Sequence, residues 1–245
     1  MHTEPSFVRN LGKVSKTYRD SGIYGRFINQ CRLDAWRMVT ERFDPPRAQI
    51  VDVGCASGSW ADNWRQLGFQ RIVGIDPNPD VLEDASAVMD EVHTAFASEL
   101  GSYFTDNAIC AANGVVVHIL EDDQTVAFLR DIAETLAPDG LLVYSVLNAA
   151  YYYNAGRAEW FGPNSCVRTL ETQRRFAHEA GLEILDEIGT FIDPWALPDL
   201  EFIAGDSELR ERWQTYQVFV DLANVCRGRS ITPFSEVLIV AQRSR

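Results

Sequence analysis

Between Gln49 and Trp60 a short apolar run, QIVDV, breaks into Gly54-Cys55-Ala56-Ser57-Gly58 and then enters a helical stretch at Ser59. This join constrains the fold more than any other feature of the chain. A strand that passes into a helix through a tight turn with glycine at both ends lets the backbone approach a ligand where a Cβ would obstruct it. No Gly-Lys-Ser/Thr follows, so the turn is not a Walker A loop, and no glycine stands three residues after Gly58, so it is not a GxGxxG turn. Alone it could simply join two elements. The next apolar run, Arg71-Ile72-Val73-Gly74-Ile75, ends in Asp76, 18 residues past Gly58. A carboxylate at that strand end can accept hydrogen bonds from both hydroxyls of an adenosine ribose.

The remaining pattern supplies the frame such a turn needs. Tyr24 to Phe43 places Phe27, Cys31, Ala35 or Trp36, and Val39 at three-to-four-residue spacing, which predicts an amphipathic helix ending at Asp44-Pro45-Pro46. Beyond Pro46 short apolar runs alternate with helical stretches, as in a parallel sheet with crossover helices. Strands are expected at Gln49 to Val53, Arg71 to Ile75, Val92 to Ala97, within Ala108 to Ile119, and at Leu141 to Leu147, Leu182 to Ile188 and Glu236 to Ala241. Helices are expected at Ser59 to Leu67, Asp80 to Asp90, Asp123 to Leu136 and Leu170 to Ala180. Two stretches fall outside the alternation: Tyr151 to Arg168, rich in aromatics, and Thr190 to Pro233, with a helix expected at Ser207 to Cys226. Both come late enough to roof a pocket.

Charge and cysteine usage remove several function classes. A net charge of -13 disfavours nucleic acid, whose binding depends on Lys and Arg neutralising phosphates. The balance is uneven, net +4 over residues 1–47 and net -17 beyond, so the N-terminal segment could face an anionic substrate or simply be solvated. Cys31, Cys55, Cys110, Cys166 and Cys226 form no CxxC pair and the four histidines no HxxxH pair, which leaves a metal site without support and favours reduced thiols. No apolar run approaches a membrane span, and the polar N-terminus lacks a secretory pattern, so a cytoplasmic protein, monomer or homodimer, is expected.

At the Gly-rich turn and three later segments the chain resembles the class I S-adenosylmethionine-dependent methyltransferases. VDVGCASGSW looks like the first motif of that family, VGIDPNP its second-strand acidic motif, NGVVVHILED its fourth-strand segment, and LAPDGLLVYSVLN its turn and fifth strand. The resemblance spans roughly residues 48 to 188, with a looser echo in the last strand. It implies an α/β, doubly wound, Rossmann-like sheet of seven mostly parallel strands with an antiparallel last strand. Residues 1–46 would form a helical cap, and 47–245 the catalytic domain with insertions near 151–168 and 190–233. S-adenosylmethionine is the implied cofactor. Asp52, Gly54, Ala56 and Gly58 would line its methionine part, Asp76 its ribose, and Pro77 and Asn78 would lie beside the adenine, with Trp60 also among the cofactor-binding residues. Asn113 belongs to the same set, and Tyr18 of the cap would reach the methionine end. Ala56 stands where the family commonly has a middle glycine. Where the family often has Asp-Ala after the third strand, this chain reads Phe96-Ala97, so backbone contacts from Ala97 or Ser98 and packing by Phe96 are expected instead.

Methyl transfer requires alignment of nucleophile, methyl and leaving sulfur, and exclusion of water. A hydroxyl acceptor needs a base as well, whereas an amine needs only its neutral form. His118, expected at the end of the fourth strand, is the candidate base; packing and a hydrogen bond to its own loop form the competing reading. Tyr152, with Tyr151, Tyr153, Trp160 and Phe161, could wall an acceptor pocket or serve as core. His178 reads as a surface residue, and Glu121, Asp122 and Asp123 as a helix start. The function expected is methyl transfer to oxygen or nitrogen of a small molecule such as a sugar, a secondary metabolite or an anionic precursor. The alternatives are a protein of this fold that binds cofactor or a partner without catalysis, and a nicotinamide oxidoreductase, which would need the third glycine and a Tyr-x-x-x-Lys pair that the chain lacks.

Overall fold

The computed structural model describes residues 22–154, 165–194 and 212–244. In chain order these form α1 (Gly22–Phe43), β1 (Gln49–Val53), α2 (Ala61–Gln66), β2 (Arg71–Asp76), α3 (Pro79–Ser86), β3 (Glu91–Thr94), β4 (Asn107–Ala112), α4 (Asp122–Ala133), β5 (Leu136–Leu147), α5 (Ala149–Asn154), α6 (Leu170–Glu179), β6 (Leu182–Gly189), α7 (Trp213–Cys226) and β7 (Glu236–Arg243). Short 3-10 turns lie at Ala97–Ser102 and Val116–His118. The seven strands make one sheet, ordered β3-β2-β1-β4-β5-β7-β6. β7 runs antiparallel to both neighbours, while the pairings from β3 to β5 are parallel.

Alternation along the strands explains why the sheet is covered on both faces. Val51, Val53, Cys110, Ala112, Leu142, Tyr144 and Val146 join one buried cluster with α4, α6 and α7. Ile50, Ile109, Ala111, Leu141 and Val143, of the opposite parity, join a second cluster with α2 and α3. Both parities are apolar, so each strand reads as a continuous hydrophobic run, the signature of a parallel sheet between two helical layers. α1 contributes to both clusters, Phe27 and Cys31 to the first, Trp36 and Val39 to the second. Every apolar position expected on this helix is buried.

Several expected boundaries move. Strand β4 ends at Ala112, so His118 is not at a strand end: Asn113-Gly114 breaks the extended chain and Val116–His118 closes as a 3-10 turn, with the His118 N–H donating to the Val115 carbonyl at 2.9 Å. Helix α4 stops at Ala133, and β5 starts at Leu136 instead of Leu141. It absorbs Pro138-Asp139-Gly140 as a bulge, visible as the register shift between Asn107 and Ile109 opposite it. The helix expected over Ser59 to Leu67 runs from Ala61 to Gln66 as α2, with Trp60 and Leu67 as its caps. The helix expected to reach Asp90 ends at Ser86, and Phe96-Ala97-Ser98 leaves β3 to enter a 3-10 turn. The aromatic stretch after β5 contains α5, and the late helix is described from Trp213 onward. Tyr18, Trp160 and Phe161 lie outside the described residues, as do 155–164 and 195–211 of the two expected insertions.

Candidate active site

The site is built where β1, β2 and β4 end side by side. The N–H groups of Gly54 and Cys55 both donate to the Ile75 carbonyl, at 2.7 and 3.1 Å, which folds the loop back onto β2. Gly54 holds φ +78°, and a Cβ there would come within 2.4 Å of Val115 Cγ2. The loop is therefore pressed against the segment that follows β4. Ala56, standing at the family's usual glycine, also takes a left-handed backbone with φ 48°, a conformation unfavourable for an L-residue. What holds it is Asp76: Oδ2 accepts the Ala56 N–H at 3.0 Å, while Oδ1 accepts the Asn78 N–H at 2.9 Å. Asn78 in turn caps α3, accepting the Asp80 N–H at 3.0 Å, with Pro79 opening the helix.

Asp76 is buried, and desolvation pushes its carboxyl up while the two amide bonds favour the charged form. Each carboxylate oxygen has two lone pairs, so one amide on each leaves a second position for a ligand hydroxyl. Phe96 lies just beyond the pairing of β3 with β2 and is 40% exposed, which suits a flat ring laid against it. Its N–H is tied to Glu99 Oε2 at 2.9 Å, fixing the start of the Ala97-Ser98 turn.

Asp52 shares the parity of Ile50, so its carboxylate enters the layer that holds α2. There Trp64 Nε1–H donates to Oδ2 at 2.9 Å, and Trp64 packs on Trp36 and Trp60 with ring centroids 4.6 and 4.9 Å away. Trp60 is thus buried in an aromatic cluster. Burial pushes the Asp52 carboxyl up to about 7, the Trp64 bond opposing the rise and the Asp76 charge adding to it. An unfolded aspartate ionises near 3.8, so the folded state binds the extra proton between these values and loses stability as pH rises across them. The full span corresponds to about 4 kcal/mol. Asp52→Asn should flatten this part of the curve: urea unfolding at pH 5 and pH 7.5 should show a smaller fall in the variant than in the parent. Parallel falls in the two proteins would refute the placement of that proton.

Asn113, the first residue after β4, receives Trp36 Nε1–H on its Oδ1 at 3.1 Å. That bond fixes the amide orientation and leaves Nδ2 buried with no partner among the described residues. An orphaned buried donor is costly unless a ligand completes it. With the Asp76 carboxylate as acceptor and the glycine-bounded loop, this donor gives a set suited to a nucleoside bearing a carboxylate tail, so the residues present fit S-adenosylmethionine. His118 follows on the turn that begins beside Val115, the residue against Gly54, and is half-buried.

On the other half of the sheet edge Tyr152 is 4% exposed on α5, edge-on to Tyr151, whose hydroxyl donates to the Asp193 carbonyl at 2.7 Å. Burial pushes both phenols well above their ordinary range. The structure thus gathers Asp52, Gly54, Ala56, Gly58, Asp76, Pro77, Phe96, Ala97, Ser98 and Asn113 around one edge, with His118 on the adjoining turn, and buries Tyr152 on α5, just after β5. Sequence reasoning missed the two indoles that fix this edge, Trp64 on Asp52 and Trp36 on Asn113. A tryptophan on the inward face of each flanking helix was the available signal. His178 is exposed, as expected. Among the described residues no cluster of three metal-ligating side chains occurs and no helix is long and apolar enough to cross a membrane.

Known proteins share this fold. Residues 26–187 match the family model of a methyltransferase domain. The chain is 27% identical, over 69% of its length and 75% of the relative, to a ubiquinone biosynthesis O-methyltransferase of Xanthomonas axonopodis pv. citri. Among solved structures, an S-adenosylmethionine-dependent methyltransferase of Clostridium acetobutylicum superposes with a TM-score of 0.60 at 9% identity, covering 87% of this chain and 91% of the other. The magnesium protoporphyrin IX methyltransferase of Synechocystis, with SAH bound, does so at 0.56 and 15%, covering 89% and 84%. The family match embraces the whole edge from α1 through β6, and the chain belongs to the methyltransferase domain family, an enzyme that takes its methyl group from S-adenosylmethionine.

Proposed function

We propose that the chain methylates an oxygen of a small molecule, with His118 as the base that takes the hydroxyl proton. The observation that carries this reading is the close approach of Val115 to Gly54, where a Cβ would lie 2.4 Å from Val115 Cγ2, so that the turn ending in His118 starts against the cofactor loop. Support for oxygen comes from the O-methyltransferase relative, and the net charge of -13 speaks against a nucleic-acid acceptor. When bound, S-adenosylmethionine supplies an activated methyl on a sulfonium. The chain's residues then divide the binding: Asp76 takes the ribose hydroxyls, Phe96 covers the adenine beside Pro77, and Asn113 Nδ2 with the Gly54 to Gly58 backbone holds the methionine end. Tyr152 backs the acceptor side.

The test is S-adenosylhomocysteine formation by the purified chain against phenols, catechols, sugars and amines. Turnover of a hydroxyl compound is expected, with His118→Gln slowing it roughly 10²- to 10⁴-fold and leaving cofactor affinity intact. Turnover of amines alone, or full activity in His118→Gln, would sink the proposal. In calorimetric titration, Asp76→Ala should weaken S-adenosylmethionine binding by about 1 to 3 kcal/mol, since it removes the ribose acceptor and releases the Ala56 and Asn78 amides. Wild-type affinity in this variant would remove Asp76 from the site.

A further inference from the structure

The loop that carries His118 leaves the sheet with backbone carbonyls that no strand or helix satisfies, and a single buried cation gathers them. Arg168, with a side chain only 5% exposed, donates from Nη1 to the Ile119 carbonyl at 3.0 Å, from Nη2 to the Leu120 carbonyl at 2.9 Å, and from Nε to Asp122 Oδ1 at 2.8 Å. The guanidinium lies over the Phe176 ring, 5.4 Å from its centroid, so α6 fixes its plane. The same short segment holds the loop on the other side of His118, where the Cys166 N–H donates to the Val117 carbonyl at 2.7 Å. It also reaches the exit of β5, since the Arg168 carbonyl accepts the Ala149 N–H at 3.3 Å.

We infer that Arg168 is a positioning residue for methyl transfer: it fixes the turn that presents His118 and ties that turn to the β5 exit, where Tyr152 stands. The inference rests on the role of His118 proposed above. The geometry separates this residue from a generic core cation. All three of its nitrogens are spent on residues 119–122, immediately after His118, and none on the sheet. The planar fork is essential, because three acceptors spread over one loop match a guanidinium and not a point-like ammonium. Arg168 donates to none of the residues proposed to hold the cofactor, Asp76, Asn113 and the glycine-bounded loop among them.

The test compares wild type, Arg168→Lys and Arg168→Ala by three measurements. The first is S-adenosylmethionine affinity by calorimetry. The second is the ring resonance of His118, assigned with His118→Gln, followed as S-adenosylmethionine is added. The third is turnover of whichever hydroxyl compound the wild type accepts. Affinity is expected to survive both substitutions. The His118 signal should move on cofactor addition in the wild type, and this response should shrink or broaden in both variants. Turnover should fall roughly a hundredfold, the cost of a misplaced reacting group, with kcat bearing the loss. Lysine should not rescue, whereas added guanidinium ion should partly restore Arg168→Ala. An unchanged His118 response in the variants, a Lys variant as active as the parent, or cofactor affinity lost in step with activity would each overturn the positioning role. A wild-type His118 signal that ignores the cofactor would overturn the placement of His118 itself, and the role of Arg168 with it. A wild type that turns over no hydroxyl compound but keeps the His118 response would sink the proposed acceptor chemistry while the variants' ring response still decides the role of Arg168.

Discussion

Alanine at Gly54 is expected to push S-adenosylmethionine binding beyond calorimetric detection and to lower the unfolding free energy by about 2 to 6 kcal/mol. Two costs combine in that figure. The backbone at this position has φ +78°, where an L-residue is strained by roughly 1 to 3 kcal/mol. The new Cβ would also lie 2.4 Å from Val115 Cγ2, and overfilling a packed contact costs about 1 to 3 kcal/mol more. Relief through movement of Val115 would drag the turn bearing His118 out of place, so binding and chemistry should fail together. Adding Val115→Ala to the variant removes the clash and leaves the strain, and should recover about half of the lost stability. Calorimetry and urea unfolding read both effects. A Gly54→Ala protein that binds cofactor normally would show that the loop does not approach the ligand.

Arg227→Ala is expected to destabilise the chain by about 3 to 5 kcal/mol. The side chain is 7% exposed, and it donates to three buried carbonyls: Gly189 at 2.8 Å, Thr190 at 2.7 Å and Cys31 at 3.1 Å. It also bonds Asn224, one turn back on α7. Burial pulls its own pKa down from the ordinary value, the electrostatic mark of a cation kept out of water. Removing it takes the charged donor from three buried carbonyls; that of Cys31 keeps its bond within α1, and each carbonyl left unsatisfied at the end of β6 costs roughly 1 to 3 kcal/mol. Arg227→Met preserves bulk without donors and should lose nearly as much. A loss under about 1 kcal/mol in either variant would mean that water or neighbours replace the guanidinium readily.

The legibility of this fold followed the strength of local pattern. β1, β2 and the turn that follows β1 could be read because apolar runs, glycine punctuation and Asp76 all point the same way. α1 was equally plain from the spacing of Phe27, Cys31 and Val39. Ends of elements were less readable. His118 looked like a strand terminus because Val115-Val116-Val117 has strand composition; the Asn113-Gly114 break and the tie of Cys166 to Val117 override that propensity from a distance of about fifty residues. The bulge in β5 was hidden for a similar reason, since Pro138-Asp139-Gly140 reads as a turn whether or not the strand resumes on the same line. Partners of buried polar groups were the least legible. Nothing near Asp52 in sequence announces Trp64, and nothing near Asp122 announces Arg168, because such pairings are set by packing between layers.

The place of β7 has a consequence for how the chain reaches this state. Residues 236–243 lie between β5 and β6 and pair with both along their length. During synthesis, β6 is made while the slot beside β5 is still empty, and it has no sheet partner until β7 emerges. The Arg32 to Glu236 ion pair, doubly bonded and almost fully buried at Glu236, likewise waits for that strand to anchor α1. The earlier ribosomal intermediates therefore hold a five-stranded nucleus, β3-β2-β1-β4-β5, whose β5 edge is bare, and β7 acts as the latch that fills the slot between β5 and β6. Shortening β7 from its C-terminal end should for that reason yield insoluble chains more often than folded but inactive ones.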